Sequence, residues 1–166
     1  MARHGCAALL LLCAGSVPLP LAAVTSQSFQ VSATVTAGCL VVGGLSDYGS
    51  LNFGSQSALA TSTVQVALTG GVQLQCTPGV TLNMTVDGGQ YNSSGRHMQL
   101  TTGSNRVAYS LFRDAAFSQS LGVGQSVPVA YSDANNISLP IYGQVQLPGN
   151  QPGGTYSDVL QVQLSW

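Results

Sequence analysis

Very few side chains in this sequence could act as acids, bases or nucleophiles at neutral pH. Beyond the first few residues the only histidine is His97, which follows Arg96 in a segment typical of a β-strand. Serines are abundant and five aspartates are present, so a Ser-His-Asp triad is possible by count alone. No Gly-x-Ser-x-Gly motif occurs, and no aspartate pair can be assigned to glycoside hydrolysis from its spacing. We therefore interpret His97 as a polar surface residue and predict no catalytic residue, no cofactor, no metal ligand and no enzymatic activity.

Two aspartates near the ends of predicted strands have a structural explanation. Asp114 ends the segment Phe112-Arg113-Asp114, and Asp158 lies close to Tyr156. Aspartate side chains in turns accept hydrogen bonds from nearby backbone N–H groups. We predict that both carboxylates are turn or hydrogen-bonding residues.

The first 23 residues have the order of a secretory signal peptide. Met1-Ala-Arg-His supplies a positive charge, residues 7–14 are apolar, and Leu21-Ala-Ala provides small residues for cleavage. We expect cleavage after Ala23 and export of the remaining chain. A membrane span needs about 20 apolar residues, so this run is too short and no membrane span is predicted.

Signal cleavage would leave two cysteines, Cys39 and Cys76, in an exported chain. Two cysteines in an oxidising compartment favour a disulfide, which would stabilise the fold by about 3–4 kcal/mol. A redox role is disfavoured because no Cys-x-x-Cys motif is present. A structural zinc site needs four Cys or His ligands, and only His97 would remain beside these two thiols.

The charge content excludes several classes of function. Only 5% of the residues are charged, and the chain contains no lysine and no glutamate, whereas about 25% is usual in soluble domains. A nucleic-acid-binding protein needs several cations to neutralise phosphates, so no nucleic-acid partner is predicted. The same shortage argues against a basic membrane-surface helix and against a coiled coil.

Alternating apolar and polar residues predict β-strands along almost all of the chain after residue 23. Clusters of Gly, Asn, Ser and Pro separate the alternating segments at the spacing typical of β-sandwiches, and no segment has convincing helical periodicity. We therefore predict an all-β sandwich. The clearest alternation is at the C-terminus, where one face carries Leu160, Val162, Leu164 and Trp166. The other predicted strands begin near Val64, Val72, Val80, Val107, Val127 and Ile141.

The segment that follows the cleavage site is an unusual strand candidate. Phe29, Val31, Ala33 and Val35 share one side of an alternating run that contains no charged residue. The C-terminal strand is also almost free of charge. Exposed strand edges without lysine, proline or bulges are prone to aggregation. We therefore expect both segments to be covered.

Five segments of the chain are distinctive when they are taken together. They are Thr36-Ala-Gly-Cys-Leu, Leu51-Asn-Phe-Gly, Val107-Ala-Tyr-Ser-Leu-Phe-Arg-Asp, Leu139-Pro-Ile-Tyr-Gly and Gly153-Gly-Thr-Tyr-Ser-Asp-Val-Leu-Gln-Val-Gln-Leu-Ser-Trp. In this order they resemble the spore coat protein U domain family, which includes subunits of archaic, Csu-type chaperone–usher pili. The resemblance covers essentially all of the chain after the signal peptide.

The resemblance implies an incomplete immunoglobulin-like β-sandwich that lacks its last strand. A periplasmic chaperone would first supply that strand, and the N-terminal extension of a neighbouring subunit would then replace it by adding to the exposed edge. The implied organisation is a signal peptide (1–23), a donor-strand extension (24–37) and a pilin domain (38–166). The implied partners are the chaperone, an outer-membrane usher and neighbouring pilin subunits. The product would be a cell-surface pilus that supports adhesion and biofilm formation.

The resemblance also implies a role for particular residues. The cysteines would be the paired cysteines of the family, Cys39 and Cys76. The donor strand would be formed by Phe29, Val31, Ala33 and Val35. The edge strand of the acceptor groove would carry Leu160, Val162, Leu164 and Trp166.

Two other interpretations remain open at this point. The N-terminal alternation could be the first strand of a self-completed sandwich, in a secreted spore or envelope coat protein. Alternatively, Tyr48, Tyr91, Tyr131 and Tyr142 could present rings to sugars in an adhesive module. A tip adhesin of the family is expected to carry a second domain before the pilin, so a shaft or adaptor subunit is favoured.

Overall fold

The computed structural model of the chain describes residues 29–44, 48–71 and 73–166. The predicted signal peptide and its cleavage site lie outside the described residues. Residues 29–34 belong to one unit and residues 35–166 to another, and each unit is described by itself. A short 3₁₀ segment occupies Val42–Gly44. The described strands are β1 (Cys39–Val41), β2 (Thr63–Ala67), β3 (Leu74–Cys76), β4 (Asn83–Val86), β5 (His97–Leu100), β6 (Arg106–Phe112), β7 (Ser126–Pro128), β8 (Tyr142–Gln146), β9 (Tyr156–Ser157) and β10 (Val162–Ser165).

The strands pair in an antiparallel manner and form three sheets. The largest has the order β2-β8-β6-β5-β9, the second has the order β10-β4-β7, and β1 pairs with β3 alone. A bridge between Leu74 and Ile137 extends the pairing of β3. The part of the chain that the structure describes contains no α-helix, so the prediction of an all-β fold is confirmed.

The period-two alternation buries one face of strands β4, β6, β7 and β8, as the sequence pattern predicts. In β6, Val107, Tyr109 and Leu111 are buried while the residues between them are exposed. Met84 and Val86 are buried in the same way in β4. The core is completed by Leu74, Cys76, Leu82, Leu121, Val127, Val129, Ile137, Leu139, Ile141 and Val145.

The chain passes from the five-stranded sheet to the three-stranded sheet between β9 and β10. Strand β9 pairs with β5, whereas β10 pairs with β4, so residues 158–161 form the crossing. Asp158 Oδ1 accepts a hydrogen bond from the backbone N–H of Gln90 at 2.8 Å. Asp87 Oδ1 accepts one from the backbone N–H of Gln161 at 2.9 Å. Both ends of the crossing are therefore attached to the segment that follows β4.

The N-terminal segment keeps its apolar side chains in solvent. Residues 29–38 form no strand, although their sequence alternates with a period of two. Phe29, Val31 and Val35 are 86%, 82% and 89% exposed, and Ala33 between them is also exposed. In this state of the chain, these side chains contribute no free energy of burial to the stability of the fold.

Candidate strand-acceptor groove

A groove of about 610 Å³ opens along one edge of the sandwich in residues 35–166. Its floor consists of side chains that also belong to the hydrophobic core, among them Val86, Leu111 and Ile141. Most of the other lining residues belong to residues 156–162 and to the segment from Tyr48 to Phe53. The groove therefore reaches down to the hydrophobic core, although Val86 and Leu111 themselves stay almost completely shielded from solvent.

Strand β10 presents an edge to which a further strand can be added. Among the described residues it pairs with β4 on one side only. The backbone N–H of Asp87 donates to the carbonyl of Gln161 at 3.1 Å, so Gln161 directs its backbone groups towards β4. Backbone direction alternates along a strand, so Gln163 also faces β4, whereas Val162 and Leu164 direct their N–H and C=O groups to the outer edge.

Two of the four residues predicted at the groove edge line the groove itself. Leu160 and Val162 do so, and Leu164 is half-buried against the core. Trp166 is 60% exposed and lies beyond the lining residues. A Cβ atom on Gly38 would stand 3.5 Å from the indole Nε1 of Trp166. The residue after β10 and the residue that precedes β1 therefore lie next to each other.

The Cys39–Cys76 disulfide is present, as predicted. The two cysteines are direct partners in the β1–β3 ladder. The backbone N–H of Thr77 adds a hydrogen bond of 2.8 Å to the carbonyl of Gly38. Both links attach the start of β1 to the body of the sandwich.

Phe53 holds the groove-lining segment from Tyr48 to Phe53 in place. Ser50 and Thr69 exchange two backbone hydrogen bonds of 2.9 and 3.0 Å, which attach this segment to the chain just after β2. The Phe53 ring then lies 6.4 Å from the ring of Tyr109, measured between centroids. A Cβ atom on Gly143 would be 3.0 Å from Phe53 Cζ, so a larger residue at this position of β8 would displace the ring.

The two aspartates that were predicted to be structural hydrogen-bonding residues have that role. Asp158 Oδ2, at the groove, accepts a hydrogen bond of 2.8 Å from the Tyr109 hydroxyl. Burial, reinforced by this hydrogen bond, raises the pKa of Tyr109 above its usual range. Asp114 accepts hydrogen bonds from the backbone N–H groups of Ser118 and Gln119, at 3.1 and 2.7 Å.

Arg96 is a buried cation that the sequence pattern did not reveal. It is only 5% exposed, and burial lowers its pKa. Its acceptors are 9 to 26 residues away along the chain, so no local pattern indicates them. The guanidinium donates four hydrogen bonds of 2.6–3.2 Å to the carbonyls of Val86, Asp87, Leu121 and Gly122.

The residues considered for catalysis and metal binding have structural contacts. His97 lies in β5, half-buried, with Nδ1 2.9 Å from the carbonyl of Gly95. Within residues 29–44, 48–71 and 73–166, no group of three or more His, Cys, Asp or Glu side chains could hold a metal ion. The same stretch of described chain has no helix with the length and apolar character of a membrane span.

The four tyrosines considered for sugar binding lie on different elements. Tyr91 lies under the guanidinium of Arg106, which is 5.6 Å from the ring centroid. The hydroxyl of Tyr131 donates to a backbone carbonyl. Tyr142 belongs to β8, and Tyr48 lines the groove. Each ring therefore has its own set of contacts.

These features define an immunoglobulin-like sandwich with an apolar groove along one edge. Residues 25–163 match the Spore Coat Protein U domain, and the chain belongs to this family. It is 26% identical to Protein U of Myxococcus xanthus over 166 residues, with 87% of each chain covered.

The fold is also similar to a chain in a solved pilus complex. This is the crystal structure of the CsuC–CsuE chaperone–tip adhesion subunit pre-assembly complex from archaic chaperone–usher Csu pili of Acinetobacter baumannii. The TM-score is 0.55 at 16% identity, and the match covers 80% of this chain and 41% of that one. The family resemblance and the fold that it implies are confirmed.

Proposed function

We propose that this protein is a non-enzymatic structural subunit of a chaperone–usher pilus and that it assembles by donor-strand exchange. The observation that carries the proposal is a groove, lined mainly by apolar residues, that includes Val162 at the start of β10, a strand paired on one side only among the described residues. In the assembled fibre, the groove of one subunit would hold residues 24–37 of the next. The similarity to a chain from a Csu pilus pre-assembly complex supports this assignment.

The N-terminal extension has the chemistry that such a groove requires. Its residues 29, 31, 33 and 35 are apolar, and its residues 30, 32 and 34 are polar but uncharged. Residues 24–37 contain no proline, so every backbone N–H can donate to a neighbouring strand. Burial of a large apolar side chain contributes roughly 1.5–3 kcal/mol, so Phe29, Val31 and Val35 together would contribute about 5–9 kcal/mol.

Head-to-tail donation also explains why a fibre would form without any covalent chemistry. The donor segment and the acceptor groove are different surfaces, so each subunit that is added offers a new free surface. The groove would first be covered by a periplasmic chaperone strand, and an outer-membrane usher would exchange that strand for the next subunit. We infer export through the signal peptide, a position in a surface pilus, and a role in adhesion and biofilm formation.

Deletion of residues 24–35, with the signal peptide retained, tests the proposal in cells that co-express the cognate chaperone. The truncated subunit should still be recovered with the chaperone, because its groove is intact, but it should form no fibres. A control in which the outward-facing Gln30, Ser32 and Thr34 are replaced by Asn should form fibres normally. Fibres of unchanged amount and length from the truncated subunit would refute the proposal.

Sedimentation of the purified full chain, without chaperone, separates this function from that of a self-completed coat protein. A subunit with an open groove should aggregate or polymerise, because the unpaired edge of β10 can take up the N-terminal segment of another copy. A stable soluble monomer would instead indicate a self-completed protein and would contradict donor-strand assembly.

A further inference from the structure

The turn that follows β6 holds Phe117 in an unfavourable backbone conformation. Phe117 has a φ of 53°, in the left-handed region that residues with a Cβ atom seldom adopt. Hydrogen bonds to Asp114 maintain this conformation. The backbone N–H of Phe117 donates to the Asp114 carbonyl at 3.1 Å, and the Asp114 carboxylate accepts from Ser118 and Gln119. A bulky residue held in such a strained position often has a functional purpose.

The strained turn places the Phe117 ring in contact with two aromatic rings of the five-stranded sheet. Its centroid lies 5.5 Å from that of Phe112 and 5.9 Å from that of Tyr142, in edge-on contacts. Phe112 and Tyr142 are direct partners in the β6–β8 ladder. They point to the outer face of the sheet, because the alternate residues Leu111 and Gly143 are buried. All three rings are partly exposed.

A row of neutral hydrogen-bonding groups lies beside these rings on the same face. Gln144 is two residues after Tyr142 in β8 and lies opposite both Gln65 of β2 and Ser110 of β6. The Gln65 amide donates to Gln144 Oε1 at 2.8 Å, which leaves the Gln144 NH₂ group and the Gln65 carbonyl to bind other molecules. Two residues along a strand correspond to about 6.8 Å, so the amides are one sugar ring away from the aromatic row.

We propose that this outer face, formed by Phe112, Phe117, Tyr142, Gln65 and Gln144, binds neutral glycans. A pyranose ring offers apolar C–H groups that can stack on aromatic rings and hydroxyl groups that can pair with amides. An anionic ligand is disfavoured, because the five residues carry no charge. A cationic ligand is disfavoured because the nearby Asp114 carboxylate is already engaged in the turn. This site is separate from the acceptor groove, so the proposal does not depend on donor-strand assembly.

Calorimetric titration of the full chain with cellohexaose, maltohexaose and laminarihexaose tests the proposal; the chain is kept in its complex with the co-expressed chaperone, or is used free if sedimentation shows it to be a stable monomer. The decisive variant is Phe117→Gly, because glycine adopts a positive φ without strain and the turn is retained while the ring is lost. At least one probe should bind the wild type, and Phe117→Gly should weaken it by about tenfold or more, which corresponds to 1.4 kcal/mol. The melting temperature of Phe117→Gly should change little, because the relief of backbone strain offsets the loss of the two ring contacts.

Two further variants distinguish a binding face from a merely structural one. Gln144→Ala should weaken the same probe without a change in stability, whereas Tyr91→Ala, at a different ring, should have no effect on binding. The proposal is overturned if no probe binds at millimolar concentration, or if Phe117→Gly binds as the wild type does. It is also overturned if the variants alter only the lateral bundling of fibres, because the face would then contact another copy of the chain.

Discussion

A negative charge on the side of the donor segment that enters the groove should abolish strand exchange. The same charge on the opposite side should not. Val31 and Ser32 are adjacent, and successive side chains of an extended strand point to opposite sides. In the proposed complex Val31 enters the groove and Ser32 faces water. The variants Val31→Asp and Ser32→Asp therefore add the same charge at positions one residue apart and differ only in the side to which it points.

The expected magnitude follows from the exposure of Val31. The side chain is 82% exposed in the described structure, so its full transfer into the groove would contribute about 1–2.5 kcal/mol. Val31→Ala removes two methylene equivalents, or about 1.5 kcal/mol, which corresponds to roughly tenfold weaker binding. Val31→Asp also buries an unpaired charge at a cost of several kcal/mol, so affinity should fall at least about a thousandfold. Ser32→Asp should change the binding free energy by about 0.5 kcal/mol or less.

The assay uses the chaperone-bound subunit and synthetic peptides that correspond to residues 24–37. Native mass spectrometry measures the fraction of subunit that exchanges chaperone for peptide at equilibrium. The wild-type and Ser32→Asp peptides should displace the chaperone, Val31→Ala should do so less completely, and Val31→Asp should fail. Equal displacement by the Val31→Asp and Ser32→Asp peptides would refute the proposed side-chain orientation and the buried position of Val31.

Two predictions concern the stability of the sandwich and can be measured on the subunit after its groove has been filled with the peptide of residues 24–37. Arg96→Met should lower the free energy of unfolding by about 2–5 kcal/mol in urea titrations, because buried carbonyls lose their donors. The exposed control Arg106→Met should change the free energy of unfolding by less than about 0.5 kcal/mol. Equal effects of the two substitutions would contradict the role of Arg96. Because the pKa of Tyr109 is raised in the folded state, stability is complete below the pKa of the unfolded tyrosine, near 10, and falls as the pH rises above it. Tyr109→Phe should flatten this alkaline decline in unfolding experiments between about pH 9 and 11.5, and an unchanged slope would show that Tyr109 does not cause it.

The strands with a strict alternation could be predicted from the sequence. The apolar residues of the Val107–Leu111 segment and of the segment around Met84 are those that the structure buries. Period-two burial depends only on neighbouring positions in one strand, so it can be recognised without knowledge of strand pairing. The disulfide was predictable from the sequence, because only two cysteines lie beyond residue 23.

The features that depend on distant segments could not be predicted in this way. Strand β9 has two residues, too few for a periodic pattern, and the crossing at 158–161 depends on pairing with β4 and β5. Arg96 precedes a strand, where an exposed side chain would be usual, yet its partners are carbonyls from two other segments of the chain, residues 86–87 and 121–122. The strained φ of Phe117 likewise follows from Asp114 and from rings on β6 and β8.

The sequence by itself determined the all-β class, the family, the cysteine pair and the apolar face of each long strand. It did so because these properties depend on composition, on spacing and on which residues alternate along one segment. The tertiary structure alone decided where the groove opens, which core side chains form its floor and which edge of β10 stays available. Those properties arise from the packing of segments far apart in the chain, and no single segment contains that information.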